Sequence, residues 1–181
     1  MDSPKIATLG ELRKTDYKSE SIQQELAGNL RKRLSNGLST FDGLIGYENT
    51  VIPDIERALL SGHNINLLGL RGQAKTRIAR QMTELLNEWI PIVEGSEIND
   101  CPLSPISQEA KELISKKGEQ TPIKWLHRHD RFFEKLATPD VTVADLIGDV
   151  DPIKAANLRL SYADERVIHF GMIPRAHRCI F

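Results

Sequence analysis

Residues 67–76 read "LLGLRGQAKT". An apolar run stops at Gly69, passes Gly72, and ends in Lys75 and Thr76. The nearest general pattern is G-x-x-x-x-G-K-[ST], a glycine-rich turn between a strand and a helix that cradles phosphate. Ala74 stands where the last glycine of that pattern should be. Two readings compete: an anion cradle with one tolerated change, or a tight strand-to-helix turn whose lysine merely faces solvent.

The flanks supply the context that the cradle needs. "NINLLG", residues 64–69, reads as a short buried strand. From Lys75 onward, "KTRIARQMTELLNEW" places Ile78, Ala79, Met82, Leu85 and Leu86 at helical spacing. A polyphosphate needs donors that approach closely, and a strand turning into a helix offers backbone N–H groups and the positive end of the helix dipole. Gly69 and Gly72 let the backbone curl without a Cβ clash. Lys75 suits the β- and γ-phosphates, and the Thr76 hydroxyl suits Mg²⁺. Ala74 immediately precedes the helix, so right-handed dihedrals are expected there. A methyl then costs little, because the steric penalty falls on residues with positive φ. Arg71 and Arg77 flank the loop. Arg77 is placed to assist phosphates from the first helical turn, with solvent exposure as its default.

The length of 181 residues suits one domain or one and a half. An apolar share of 40% supports a core and excludes a disordered chain. A net charge of −1 gives no argument for a broad nucleic-acid surface, so any anion recognition must be local. Cys101 and Cys179 form no C-x-x-C pair, so neither a zinc ribbon nor a disulfide framework is indicated. Two reduced thiols are expected. The start of the chain lacks the apolar stretch of a secretory signal, and no run has the length of a membrane span. The expectation is a soluble cytoplasmic protein.

Residues 1–40 form a polar extension in which Ile22, Leu26, Leu30 and Leu34 recur every four positions, the stripe of a helix ended by Gly37. Lys32 and Arg33 fall on its solvated face. "IPDIERALLSG" is a second helix, with Ile52, Ile55, Leu59 and Leu60 on one face and Pro53 in its first turn. "IPIVEGSEINDCPLSP" reads as a proline-punctuated loop, and "SQEAKELISKKG" as a helix opened by Ser107 and closed by Gly118. "KWLHRH" is too polar for a core strand, whereas "RFFEKLATP" suits one. "TVADLIGDVDPIKAANLRL" reads as a short helix, a turn and another short helix. "ERVIHFG" is a strand, "IPRAH" a helical turn, and "RCIF" a strand beginning. Alternating strands and helices favour an α/β sheet with a mostly parallel core. The apolar ending, Cys179 to Phe181, is expected to lie inside a core strand of a longer protein.

Other clusters carry less. His127 and His129 in "HRHD" share a face on a strand, but no third ligand stands at a recognisable spacing, which favours a surface loop. His169 and His177 read as packing groups. Spacing alone identifies no Ser/His/Asp set.

The loop G-x-x-G-x-A-K-T, from Gly69 to Thr76, resembles the variant phosphate loop of MoxR-type AAA+ ATPases and their magnesium chelatase relatives. The resemblance runs from about Phe41 to Phe181 in family order. "FDGLIGYENTVIPDIERAL" resembles the stretch that passes the adenine, which implies Leu44, Ile45 and Gly46 near the base. "ATPDVTVADLIGDVDPIKA" resembles a stretch with a helix-2 insert, here near 138–175, its "LIGDVD" matching a G-[ST]-x-D element. "HFGMIPRAHRCIF" resembles the run F-x-P-G-L-L-x-x-A-H-R-G-x-L, although Gly171 follows Phe170 without the intervening residues.

This resemblance implies a three-layer αβα P-loop NTPase (AAA+) core over 41–181, truncated, behind the helical extension of 1–40. Its cofactors are ATP and Mg²⁺. Gly69, Leu70, Arg71, Gly72, Gln73, Ala74, Lys75, Thr76 and Arg77 would form the cradle, with Thr76 on the metal. The family's next residues after a strand like "RCIF" carry an acidic pair that holds Mg²⁺ and polarises water. Asp130 and Asp145 do not replace that pair convincingly, so hydrolysis is expected to need more than this chain. Arg159, Arg166, Arg175 and Arg178 offer no assignable arginine finger. The family couples ATP hydrolysis to remodelling a partner, as a ring of identical subunits; the client or chelatase-type partner subunit stays unidentified. A non-hydrolysing assembly module is the competing function.

Overall fold

A computed structural model describes residues 4–181. In chain order its helices are α1 (Leu9–Arg13), α2 (Ile22–Ser35), α3 (Val51–Leu60), α4 (Lys75–Gln81), α5 (Gln108–Lys117), α6 (Val143–Leu146), α7 (Pro152–Leu158) and α8 (Met172–Arg175). Its strands are β1 (Trp89–Val93), β2 (Ile123–His127), β3 (Gly148–Val150) and β4 (Ile168–Phe170). Helix and strand are mixed, as expected, but both strand pairs are antiparallel. No described helix is long and apolar enough to cross a membrane. The chain forms two compact units, one of residues 20–88 and one of residues 4–19 with 89–181. The extension expected over 1–40 is therefore divided between them, and residues 1–3 lie outside the described residues.

In the 20–88 unit, local capping sets the helices. The Ser21 hydroxyl accepts from Gln24 N, while Ser21 N donates to the Gln24 side chain, so orphan donors at the start of α2 are satisfied reciprocally. Gly37, at φ +67°, lets Leu38 N donate to the Arg33 carbonyl at 3.1 Å. Leu26, Ala27 and Leu30 of α2 are buried, as are Ile55 and Leu59 of the packed α3. After α4 the chain tightens into a 3₁₀ turn, Met82–Leu85, and Ile78, Met82, Leu85 and Leu86 are buried. Glu25, itself buried, accepts from Asn87 N at 2.7 Å, and Asn29 donates to the Leu85 carbonyl at 2.9 Å.

One expectation fails here. Residues 64–69 do not form a buried strand. Leu68 is 85% exposed and Leu70 78% exposed. A strand exists through its ladder, and these residues have no neighbouring strand to pair with, so their apolar character alone does not build one.

In the other unit β4 lies within the strand expected over "ERVIHFG", whereas β1 and β2 lie where prolines and polar residues concealed them. β1 and β2 pair from Trp89↔His127 to Val93↔Ile123. The loop expected over "IPIVEG" is thus a strand, with Ile90, Pro91, Ile92 and Val93 buried. Pro91 cannot donate to a ladder but is tolerated where a strand keeps a free edge, as in a two-stranded sheet. Its carbonyl accepts from Arg178 Nη1 at 2.8 Å. "KWLHRH", expected to be too polar, supplies β2: Ile123 turns inward, Lys124 outward, and the Trp125 indole donates to the Ile6 carbonyl at 2.8 Å. "RFFEKLATP" gives no regular strand. It contributes one parallel bridge, Phe132↔Ile180, with Phe133 N donating to Ile180 O at 2.8 Å.

The expected turn within "LIGDVD" is the strand β3, which pairs with β4 from Gly148↔Phe170 to Val150↔Ile168 across α7. A Cβ on Gly171 would stand 2.5 Å from the Leu146 carbonyl carbon, so only glycine permits this approach. Two buried polar groups fix the neighbouring loops. The Asp100 carboxylate accepts from Ser96 Oγ at 2.7 Å, Ile106 N at 2.6 Å, Ser107 N at 3.0 Å and Ser107 Oγ at 2.6 Å. Arg131, 1% exposed, donates Nε and Nη2 to the Arg178 carbonyl at 3.0 and 2.8 Å.

Candidate functional site

The candidate site lies wholly in the 20–88 unit, where the 69–74 turn meets α4. Gly69 sits at φ +154° and Gly72 at φ +82°. A Cβ on Gly69 would meet only the movable end of Gln73, so it is the dihedral at φ +154°, rarely adopted by residues with a side chain, that favours glycine there. Ala74 corrects the expectation of a helical residue: it is left-handed, at φ 54° and ψ 15°. Its carbonyl still accepts the first helical bond, from Ile78 N at 2.9 Å. The change from glycine therefore falls where a methyl does carry a steric penalty.

Lys75 opens the helix. Its ammonium donates to the Gly69 carbonyl at 2.8 Å and also to the Leu70 carbonyl. Side chains in a first helical turn lean toward the N-terminus, so the lysine folds back over the loop. The loop thereby satisfies its own cation. Thr76 is exposed and borders a shallow groove of about 340 Å³ with Arg77, Arg80, Gln81 and Glu84. Arg71 is exposed and makes no ion pair among the described residues.

The stretch resembling an adenine-side segment reaches the same place. Arg77 Nη2 donates to the Asp42 carbonyl at 3.1 Å, and Gln81 Nε2 donates to the same oxygen at 2.9 Å. The Tyr47 hydroxyl lies 3.4 Å from the Gln73 carbonyl, its acceptor at the limit of hydrogen-bond reach. Leu44 is buried, Ile45 is 88% exposed, and Gly46 is left-handed at φ +86°. Thus Leu44, Ile45 and Gly46 are carried beside the loop. Arg77 is exposed, as expected, and also holds this joint. Sequence reading missed Asp42, Tyr47 and Gln81; all three contacts end on the backbone carbonyls of Asp42 and Gln73, which leave no mark in a sequence.

The other expected residues separate from this site. His127 packs edge-on against Trp89 and His129, with ring centroids 4.7 Å apart in each case. Among the described residues no group of three or more His, Cys, Asp or Glu could hold a metal. Asp145 caps α6, accepting from Thr142 N at 2.9 Å. Arg166 Nη2 binds the Asp164 carboxylate at 2.7 Å; that hydrogen bond and one from Arg166 N hold the Asp164 pKa down at about 2. Arg178 reaches Pro91 O and the Tyr17 hydroxyl, both at 2.8 Å. Cys101 and Cys179 are buried and form no disulfide.

No protein-family model, curated protein or solved structure matches the chain. The functional reading stands on the loop's geometry and the residue pattern.

Proposed function

We propose that the chain is the ATP-binding part of a cytoplasmic AAA+ ATPase, similar to MoxR-type ATPases and the small magnesium chelatase subunit. Such a protein would couple ATP hydrolysis to remodelling a partner, as a ring of identical subunits with a three-layer αβα core. One observation carries the reading: Asp42–Tyr47 and Gly69–Arg77, the two stretches the resemblance assigns to base and phosphates, are stitched together through Asp42 O and Gln73 O. The exposed Ile45 offers the apolar face that a purine needs.

Lys75 leaves the Gly69 and Leu70 carbonyls to contact the β- and γ-phosphates. The backbone N–H groups of the loop line the same anion, and Thr76 Oγ1 would hold the Mg²⁺ that neutralises developing charge in phosphoryl transfer. This reading requires residues 64–69 to gain strand neighbours, which they lack among the described residues. The second reading is a non-hydrolysing assembly module. It is favoured by the same Lys75 contacts, since a loop whose ammonium is already satisfied needs no ligand.

Calorimetry with Mg·ATP tests the assignment. Wild type binds, and Lys75→Ala loses about tenfold or more in affinity, as removal of one charge-assisted contact implies. An unchanged dissociation constant ends the proposed role of Lys75. Binding without phosphate release, in the full-length protein, selects the assembly module.

A further inference from the structure

Tyr47 ties two parts of the 20–88 unit together through opposite ends of the residue. Its carbonyl accepts from Thr50 N at 3.3 Å and from Ile52 N at 3.1 Å, so its backbone is pinned where α3 begins. That helix packs on α2. The half-buried ring then carries the hydroxyl to the Gln73 carbonyl, 3.4 Å away and 26 residues along the chain.

The residue after Gln73 is Ala74, left-handed at φ 54° and ψ 15°. That conformation disfavours any L-residue with a Cβ. Rotation of the 73–74 peptide would change the φ of Ala74 and relieve the methyl, so the turn needs a group that opposes this rotation. No described peptide bond is cis. In a trans peptide the C=O and the following N–H point in opposite directions. A hydroxyl that holds Gln73 O therefore also sets the direction of Ala74 N–H, away from Tyr47. Among the described residues that N–H donates to no other group. Glycine at position 74 would enter the left-handed region without such help. The departure from the phosphate-loop pattern and the tyrosine across from it thus form one arrangement.

We propose that Tyr47 is a positioning residue: its hydroxyl holds the Gln73–Ala74 peptide so that Ala74 stays left-handed and its N–H stays turned toward the anion that the loop would bind. The effect on ATP rests on the nucleotide reading above; the hold on Ala74 does not.

Tyr47→Phe keeps the ring and removes only the hydroxyl. In the ligand-free full chain, a positive φ brings an amide proton close to its own Hα. Ala74 should therefore give a strong intraresidue nuclear Overhauser effect, and Tyr47→Phe should weaken it. In calorimetry with Mg·ATP, the lost hydrogen bond should weaken binding about three- to tenfold. In an Ala74→Gly background the same change should cost about twofold or less, since glycine needs no hydroxyl to stay left-handed. A weak Ala74 signal in wild type, or one unchanged in Tyr47→Phe, overturns the proposal whether or not ATP binds. So does an equal loss of affinity in both backgrounds, which would mean that Tyr47 acts without Ala74. A wild-type chain that shows the expected Ala74 signals but binds no Mg·ATP overturns the nucleotide reading instead, and the hold on Ala74 stands.

Discussion

Ala74→Gly separates two accounts of the loop by the sign of its effect. Ala74 is left-handed at φ 54°, directly before α4. An L-residue with a Cβ loses about 1–2 kcal/mol in that conformation. Glycine escapes this but gives the unfolded chain more freedom, which costs about 0.5–1 kcal/mol. The net expectation is stabilisation of about 0.5–1 kcal/mol. Had Ala74 been the first residue of a right-handed helix, no steric relief would exist, and glycine would destabilise by about 0.8–1 kcal/mol. The two outcomes lie roughly 1.5 kcal/mol apart, well beyond the error of paired urea titrations at constant m-value. A lower midpoint for Ala74→Gly with unchanged m would refute the left-handed assignment and the view that the methyl is the costly departure in this loop.

Three further outcomes are expected. Asp100→Ala leaves buried donors from Ser96, Ile106 and Ser107 unpaired and should destabilise by about 3 kcal/mol in denaturant titration. Burial opposes ionisation of Asp100, but bonds from Ser107, Ile106 and Ser96 outweigh it and lower its pKa below 3.8. The stability tied to that carboxylate is present above the unfolded pKa and lost as pH falls through the folded one, so the gap between wild type and Asp100→Asn should close only in acid. Asp164 should titrate at about 2 by carboxyl NMR, and Arg166→Gln should return it toward 3.8; no change would mean that the Arg166 hydrogen bonds are not formed. Leu30→Ala, at a fully buried position in the 20–88 unit, should cost about 2–5 kcal/mol, and a cost below about 1 would place α2 outside that core.

Helices were legible because their signals are local. Gly37 follows the end of α2, Ser107 opens α5 and Gly118 ends it, as their positions beside apolar stripes suggest. Apart from β4, which lies within "ERVIHFG", the strands were not, because a strand depends on what lies beside it. Pro91 hid β1, although the free edge of a two-stranded sheet tolerates it. The polar residues of β2 hid a strand that buries Ile123 and leaves Lys124 exposed. Residues 64–69 carried the composition of a strand and no partner. In the site, Gly69, Gly72 and Lys75 followed from the pattern. The handedness of Ala74 did not, since it reflects how the turn enters the helix, and neither did Tyr47 or Gln81, whose contacts are made across long sequence separations.

Lys75 is where the two functional readings diverge, and one variant read two ways distinguishes them. Its ammonium now meets two backbone carbonyls in an exposed loop. Charge contacts so exposed contribute under about 1 kcal/mol to stability. Phosphate oxygens compete with those carbonyls for the same three protons, and they carry full negative charge, so an arriving polyphosphate should displace them. If the loop is a nucleotide cradle, Lys75→Ala barely moves the unfolding midpoint but removes most ATP affinity, and the remaining affinity loses much of its salt dependence. If the loop is only a self-closed turn, the same variant shifts stability slightly and wild type shows no salt-sensitive ATP binding to lose. A chain that binds ATP equally well with and without the Lys75 ammonium, at every ionic strength, would contradict the cradle reading, because backbone amides alone would then hold the phosphates.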